Sequence, residues 1–234
     1  MEDFKRRFVD FLMDCGAFKL GSFTLKSGRV SPTFLNTGLI RDGKGIQRLG
    51  EAYASSLLSA VGADGFDCVF GPAYKGVPIA VATTIALANK GVVKGYLFDR
   101  KEAKDRGEEA AAGAAAKVIV GHRPEAGERI VIVDDVMTTG ATKYEAVELL
   151  GGLVPDASFP GLAIALDRQE TGADGIHAGE KFTSDTGVPV VPTVTMVEVL
   201  THLEDTDRLP TDDREACRKY LTEYGTEAAK AWAS

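Results

Sequence analysis

The chain has 234 residues, 44% hydrophobic and 26% charged, a balance that excludes a disordered chain and leaves ample length for a buried core. Lys and Arg number 27 against 34 Asp and Glu, a formal charge of −7. That argues against a grip on nucleic acid through overall basicity, though not against a local cationic site for a small anion.

Cys15, Cys68 and Cys217 are scattered without a CxxC, and His122, His177 and His202 stand alone without an HExxH. Neither a disulfide framework nor a zinc or His-based metal centre is expected, and the setting reads as reducing and cytoplasmic. Residues 1–7 carry charges where a signal peptide would be apolar, and no apolar stretch reaches membrane-spanning length.

In chain order, Phe4, Phe8, Phe11, Leu12 and Cys15 recur at helical spacing, with Gly16 as the stop. Residues 22–40 are rich in Ser, Thr, Gly and β-branched residues and read as short strands and turns. Ile46, Leu49, Tyr53 and Leu57 mark a second helix. Strand signals then fall at 66–70, 92–98, 130–133, 162–166 and 188–191, and helical ones at 77–88, 143–150 and 211–224. Such alternation predicts an α/β fold with a central, mainly parallel twisted sheet flanked by helices. The four apolar residues from Ile130 to Val133 are what a strand buried on both faces requires. One domain is expected, with a small N-terminal hood at 1–40, an α/β core at 60–200 and a C-terminal helix and tail at 205–234.

The chemistry concentrates just after that strand, in Asp134-Asp135-Val136-Met137-Thr138-Thr139-Gly140-Ala141-Thr142. Small residues admit a ligand to the backbone, N–H groups at a helix start favour a phosphate, and the threonines add hydroxyl donors. Carboxylates at the end of a parallel strand suit sugar hydroxyls. The combination predicts a site for a ribose 5-phosphate group. A strand followed by a Thr-capped helix and a solvated acid pair is the purely structural alternative. Neither GxxxxGK[ST] nor GxGxxG occurs.

This segment resembles the phosphoribosyl pyrophosphate (PRPP) signature of the type I phosphoribosyltransferases. Four further blocks resemble the orotate phosphoribosyltransferases within that family: residues 23–29, 70–78, 100–105 and 166–170. The likeness covers about residues 4–205 in one consistent order. It implies a type I phosphoribosyltransferase fold that transfers phosphoribose from PRPP to orotate. By resemblance, Asp134 and Asp135 hold the ribose hydroxyls and Val136, Met137, Thr138, Thr139, Gly140, Ala141 and Thr142 bind the phosphate. Tyr74 and Lys75 contact the pyrophosphate. Arg100, Lys101, Lys104 and Arg106 belong to a mobile loop that closes over PRPP in the partner subunit's site. Catalytic roles fall to Lys101, Lys104, Arg106, Asp134 and Asp135. Lys26 serves both substrates, while Phe34, Leu35, Thr138 and Arg168 face orotate. The same likeness implies Mg2+ without a dedicated protein ligand, a homodimer with a shared active site, and no nucleic-acid or membrane partner.

Three departures from the family pattern stand out. Arg106 occupies the position of the mobile loop's usual histidine, so the donor stays charged and cannot shuttle a proton near neutral pH. Glu109-Ala110 replaces a glycine pair, and residues 121–127 read as an inserted solvent-exposed turn. Leu35 stands where an aromatic ring is usual. Two alternatives remain at this point: a phosphoribosyltransferase for another base, and a PRPP-binding regulator without turnover.

Overall fold

The computed structural model describes residues 1–25, 27–100, 118–137 and 140–234. Helix α1 (Asp3–Asp14) leads into an antiparallel pair, β1 (Phe18–Thr24) and β2 (Val30–Leu35), followed by a short 3-10 turn at Thr37–Leu39. Helix α2 (Gly43–Ala60) precedes the main sheet, which is built from β3 (Cys68–Gly71), α3 (Gly76–Asn89), β4 (Gly95–Asp99), β5 (Ile119–Gly121) and β6 (Ile130–Val136). It continues through α4 (Ala141–Leu153), β7 (Leu162–Asp167), α5 (Ala178–Thr186) and β8 (Val190–Thr195). Helices α6 (Met196–Asp205), α7 (Thr211–Tyr224) and α8 (Glu227–Ala233) close the chain.

The six strands lie in the order β5-β4-β3-β6-β7-β8, parallel except for β5 against β4. This is the mainly parallel sheet expected from the alternation of elements. Side chains alternate across the sheet, which explains the unbroken apolar run of β6. Val131 and Val133 join a core with α1, α2, α3 and α6, while Ile130 and Ile132 join a second core with α4 and α5. All four are fully buried.

Element ends differ from the periodicity for local reasons. Strand β3 starts at Cys68 rather than residue 66, because the Asp67 carboxylate takes the Arg129 N–H (2.8 Å) and its guanidinium. Residues 92–94 are a loop, not strand: the Lys94 ammonium donates to the Phe66 carbonyl at 2.6 Å and Val93 is exposed. Strand β8 runs on to Thr195 through Pro192, which an edge strand tolerates. The periodicity passed over β5, α5, α6 and α8. Gly121 ends β5, so only 122–127 forms the turn. Among the described residues no helix is long and apolar enough to cross a membrane.

Candidate active site

The parallel strands β3, β6 and β7 end on one side of the sheet, where open α/β sheets hold ligands. Asp134 and Asp135 are both buried there. Being consecutive in a strand, they point to opposite faces, and each meets its own lysine. Lys75 Nζ donates to Asp135 Oδ2 at 2.6 Å, with the Lys75 side chain 63% exposed. Lys143 Nζ lies 2.5 Å from Asp134 Oδ2, with both side chains more than nine-tenths buried. Burial pushes the Asp134 carboxyl above the usual range, against the pull of Lys143. The buried Tyr53 hydroxyl donates to the Asp134 carbonyl at 2.7 Å, and burial with the two acids raises its own pKa well above 10. The acids also hold the local backbone: Asp134 Oδ1 accepts from the Asp135 N–H and Asp135 Oδ1 from the Val136 N–H.

Gly140 precedes α4 in a left-handed conformation (φ 76°) that glycine adopts without strain. Gly140 makes no side-chain cap, and Ala141 and Thr142 begin the helix exposed. Met137 packs partly on the second core.

The loop from β3 to α3 carries Tyr74, 77% exposed, and Lys75. Gly76 lets this loop press on β6: a Cβ there would stand 2.6 Å from Pro72 Cδ and 2.9 Å from the Val133 carbonyl oxygen. The Ala73 N–H donates to Asp99 Oδ1 at 2.6 Å, tying the loop to the end of β4. Arg100 follows directly, its N–H donating to the Val118 carbonyl.

Arg168 lies one residue past β7. Its Nη2 donates to Ser31 Oγ of β2 (3.0 Å) and pairs with Glu170 Oε1 (2.6 Å), which brings the N-terminal strands to the sheet's ligand side. Phe34 is exposed and stacked on Phe23, with ring centroids 5.4 Å apart. Leu35, on the opposite face of β2, packs on the first core, so the two do not form one surface. Lys26, Lys101, Lys104, Arg106, Thr138 and Thr139 lie outside the described residues.

Lys143 and Thr37, whose hydroxyl reaches Asp135 Oδ2 at 3.5 Å, were not named as site residues from the sequence, and Tyr53 was read only as part of a helix face. Lys143 did carry a signal. It is the third residue of α4, where the helix dipole disfavours a cation, so it demands a carboxylate nearby.

Comparison with known proteins agrees with this geometry. The phosphoribosyl transferase domain profile matches residues 37–171. An orotate phosphoribosyltransferase of Halorhodospira halophila is 43% identical over 96% of this chain and 99% of its own length. That of Photobacterium profundum is 40% identical over 96% of this chain and all of its own. A crystal structure of the Francisella tularensis orotate phosphoribosyltransferase superposes with a TM-score of 0.79, at 31% identity, over 94% of this chain and all of that one. With its six-stranded, mainly parallel sheet and acid pair at the end of β6, this chain belongs to the phosphoribosyltransferase family, among the orotate phosphoribosyltransferases.

Proposed function

We propose that the protein transfers the 5-phosphoribosyl group of PRPP to orotate, forming orotidine 5′-monophosphate and pyrophosphate for pyrimidine (UMP) biosynthesis. The single observation that carries this reading is the Asp134-Asp135 pair set between Lys75 and the start of α4, in a chain 43% identical to a curated orotate phosphoribosyltransferase.

Cleavage of the bond to pyrophosphate builds positive charge on the ribose ring. Asp135, on the face that carries Lys75, reaches the ribose hydroxyls, while Asp134, enclosed with Lys143 on the other face, adds its charge from the same strand end, and together they stabilise the developing positive charge. The start of α4, through Gly140, Ala141 and Thr142 with Val136, Met137, Thr138 and Thr139, receives the 5-phosphate. Lys75 exchanges Asp135 for the pyrophosphate, a shift its exposed side chain permits. Tyr74 flanks the same group, and Arg100, Lys101, Lys104 and Arg106 from the loop of a partner subunit close over it. Orotate, flat and anionic, stacks at Phe34 near Leu35, with Lys26, Thr138 and Arg168 at its polar edge. Leu35, turned to the core, anchors the strand that carries Phe34 and does not itself line that surface.

The donor set fits magnesium that arrives with its substrate. Both acids already hold a lysine through Oδ2, and Mg2+ keeps several waters while taking phosphate oxygens. When bound, the ion neutralises charge on the departing pyrophosphate. We assign the working form as a cytoplasmic homodimer.

Mixing the chain with orotate, PRPP and Mg2+ should consume orotate, read by its ultraviolet absorbance, only when all three are present. Tight PRPP binding without loss of orotate would instead identify a PRPP-binding regulator. Turnover of another base but not orotate would reassign the acceptor.

A further inference from the structure

At the opposite end of the sheet, Cys68 opens β3, Glu128 lies two residues before β6, and His122 follows β5. Their ligand atoms all lie within 4.8 Å of one another, and they form the one such group of three found among the described residues. His122 Nε2 is 2.8 Å from Glu128 Oε2 and 3.2 Å from Oε1, and Cys68 Sγ is 3.6 Å from Oε2. We propose that Cys68, His122 and Glu128 form a binding site for a borderline-soft divalent cation, zinc by chemistry, separate from the phosphoribosyl site.

Burial and the Glu128 carboxylate keep the Cys68 thiol protonated without metal; on binding, the ion would displace that proton to solvent, and the resulting thiolate, imidazole and carboxylate are a zinc set whose two anionic ligands balance a divalent charge. Zinc bonds of about 2.0–2.3 Å in tetrahedral array put neighbouring donors about 3.3–3.6 Å apart. With Glu128 Oε2 as the ligand atom, Cys68 Sγ at 3.6 Å already fits, whereas His122 Nε2 at 2.8 Å must draw back by about half an ångström, and the three ligand atoms, all within 4.8 Å, close around one ion by small side-chain shifts. Three protein ligands leave the fourth position to water. Access is one-sided, because Cys68 is fully buried while the side chains of His122 and Glu128 are 34% and 20% exposed.

Backbone features hold the imidazole in place. The His122 N–H donates to the Tyr96 carbonyl at 2.7 Å. Gly95 leaves room for the ring, since a Cβ there would sit 2.6 Å from His122 Cγ. Gly121, at φ 94°, brings the chain against β4, where a Cβ would stand 2.4 Å from the Tyr96 oxygen. Arg129, the chain neighbour of Glu128, is held by the Asp67 carboxylate at 2.6 and 2.9 Å, which offsets its charge. Seven residues of extended chain, about 23 Å, separate Glu128 from Asp135, so the ion would act on the β5–β6 connection and not on phosphoribosyl transfer.

The test uses tag-free full-length protein stripped with a chelator and titrated with Co2+, then Zn2+. One equivalent of Co2+ should give an intense sulfur-to-cobalt charge-transfer band that Zn2+ displaces. Excess Zn2+, at about 100 times Kd, should raise Tm by roughly 5–10 °C. Cys68→Ser should abolish the band, whereas Cys15→Ser should keep it. His122→Gln, at a partly exposed position, should weaken Zn2+ binding more than about 100-fold, beyond the loss caused by changes outside the ligand set. Both site variants should keep the orotate-consuming activity of the parent. Absence of a stoichiometric band, its survival in Cys68→Ser, or unchanged Zn2+ affinity in His122→Gln would reduce the trio to a hydrogen-bonded cluster and overturn the proposal. If Cys68→Ser fails to fold, the parent titration and His122→Gln decide.

Discussion

Lys143→Met removes one half of a fully enclosed ion pair and leaves the Asp134 carboxylate without a cation. A buried, unpaired carboxylate escapes its desolvation penalty by taking up a proton. At about 1.4 kcal/mol per pH unit, protonating a group that ordinarily titrates at 3.8 costs about 4 kcal/mol at pH 7. That figure is a ceiling, because burial already holds the Asp134 carboxyl above its usual range with the lysine present. We expect a loss of about 3 kcal/mol, at the lower edge of what breaking a buried pair costs, and a Tm lower by about 6–12 °C. The pH dependence follows from the direction of the shift. A carboxyl whose folded pKa lies above its unfolded value binds more protons when folded, so stability falls as pH rises between the two values. In Lys143→Met that window widens upward, and the deficit relative to the parent should deepen by up to about 3 kcal/mol from pH 5 to pH 7. Urea denaturation of both proteins at pH 5, 6 and 7 measures it. Adding Asp134→Asn to Lys143→Met should recover most of the loss, since the pair is then neutral. A variant within about 0.5 kcal/mol of the parent at pH 7, or a deficit flat with pH, would refute the reasoning.

Lys75→Met should lower kcat/KM for PRPP about 10–100-fold, the worth of one or two charged hydrogen bonds, yet move Tm by less than about 4 °C because the lysine is exposed. A large Tm loss with intact kinetics would make Lys75 a structural residue. Gly76→Ala places a Cβ 2.6 Å from Pro72 Cδ and 2.8 Å from the Gly71 carbonyl carbon, and overpacking of that kind costs about 1–3 kcal/mol. A melt unchanged from the parent would show that the loop moves freely away from β6. The Arg129 guanidinium and N–H hold the Asp67 carboxyl at about 2, so its contribution is present above the ordinary 3.8 and lost as pH falls toward 2. Since the Arg129 side chain is 43% exposed, solvent screening limits that contribution to about 1 kcal/mol. Asp67→Asn should be less stable than the parent by that amount at pH 6 and equal to it at pH 2, by denaturant titration.

The acid pair at the end of β6 was legible because one strand carries it and because a strand buried on both faces has no polar residues until it leaves the core. Its internal geometry was not legible. Reading Asp134-Asp135 as a unit treats neighbours as partners, whereas the pleat sends them to opposite faces, one toward α4 and Lys143, the other toward the loop bearing Lys75. The Lys75 loop could be found by local motif, since the contiguous residues 70–78 carry it. The Cys68, His122 and Glu128 trio could not, because its spacings of 54 and 6 residues match no ligand motif and close only when β3 pairs with β6 and β5 with β4. Element ends failed where a side chain replaced a ladder bond, as Asp67 does for Arg129. The net charge of −7 takes on a different meaning once these pairs are known. Among the described residues, each acid at the end of β6 is paired with a lysine. Lys75 meets its acid with an exposed side chain, while Lys143 is enclosed with its own. Removing Lys143 should therefore cost stability first, and removing Lys75 affinity first. The contrast between those two variants separates the scaffold of the site from its working surface.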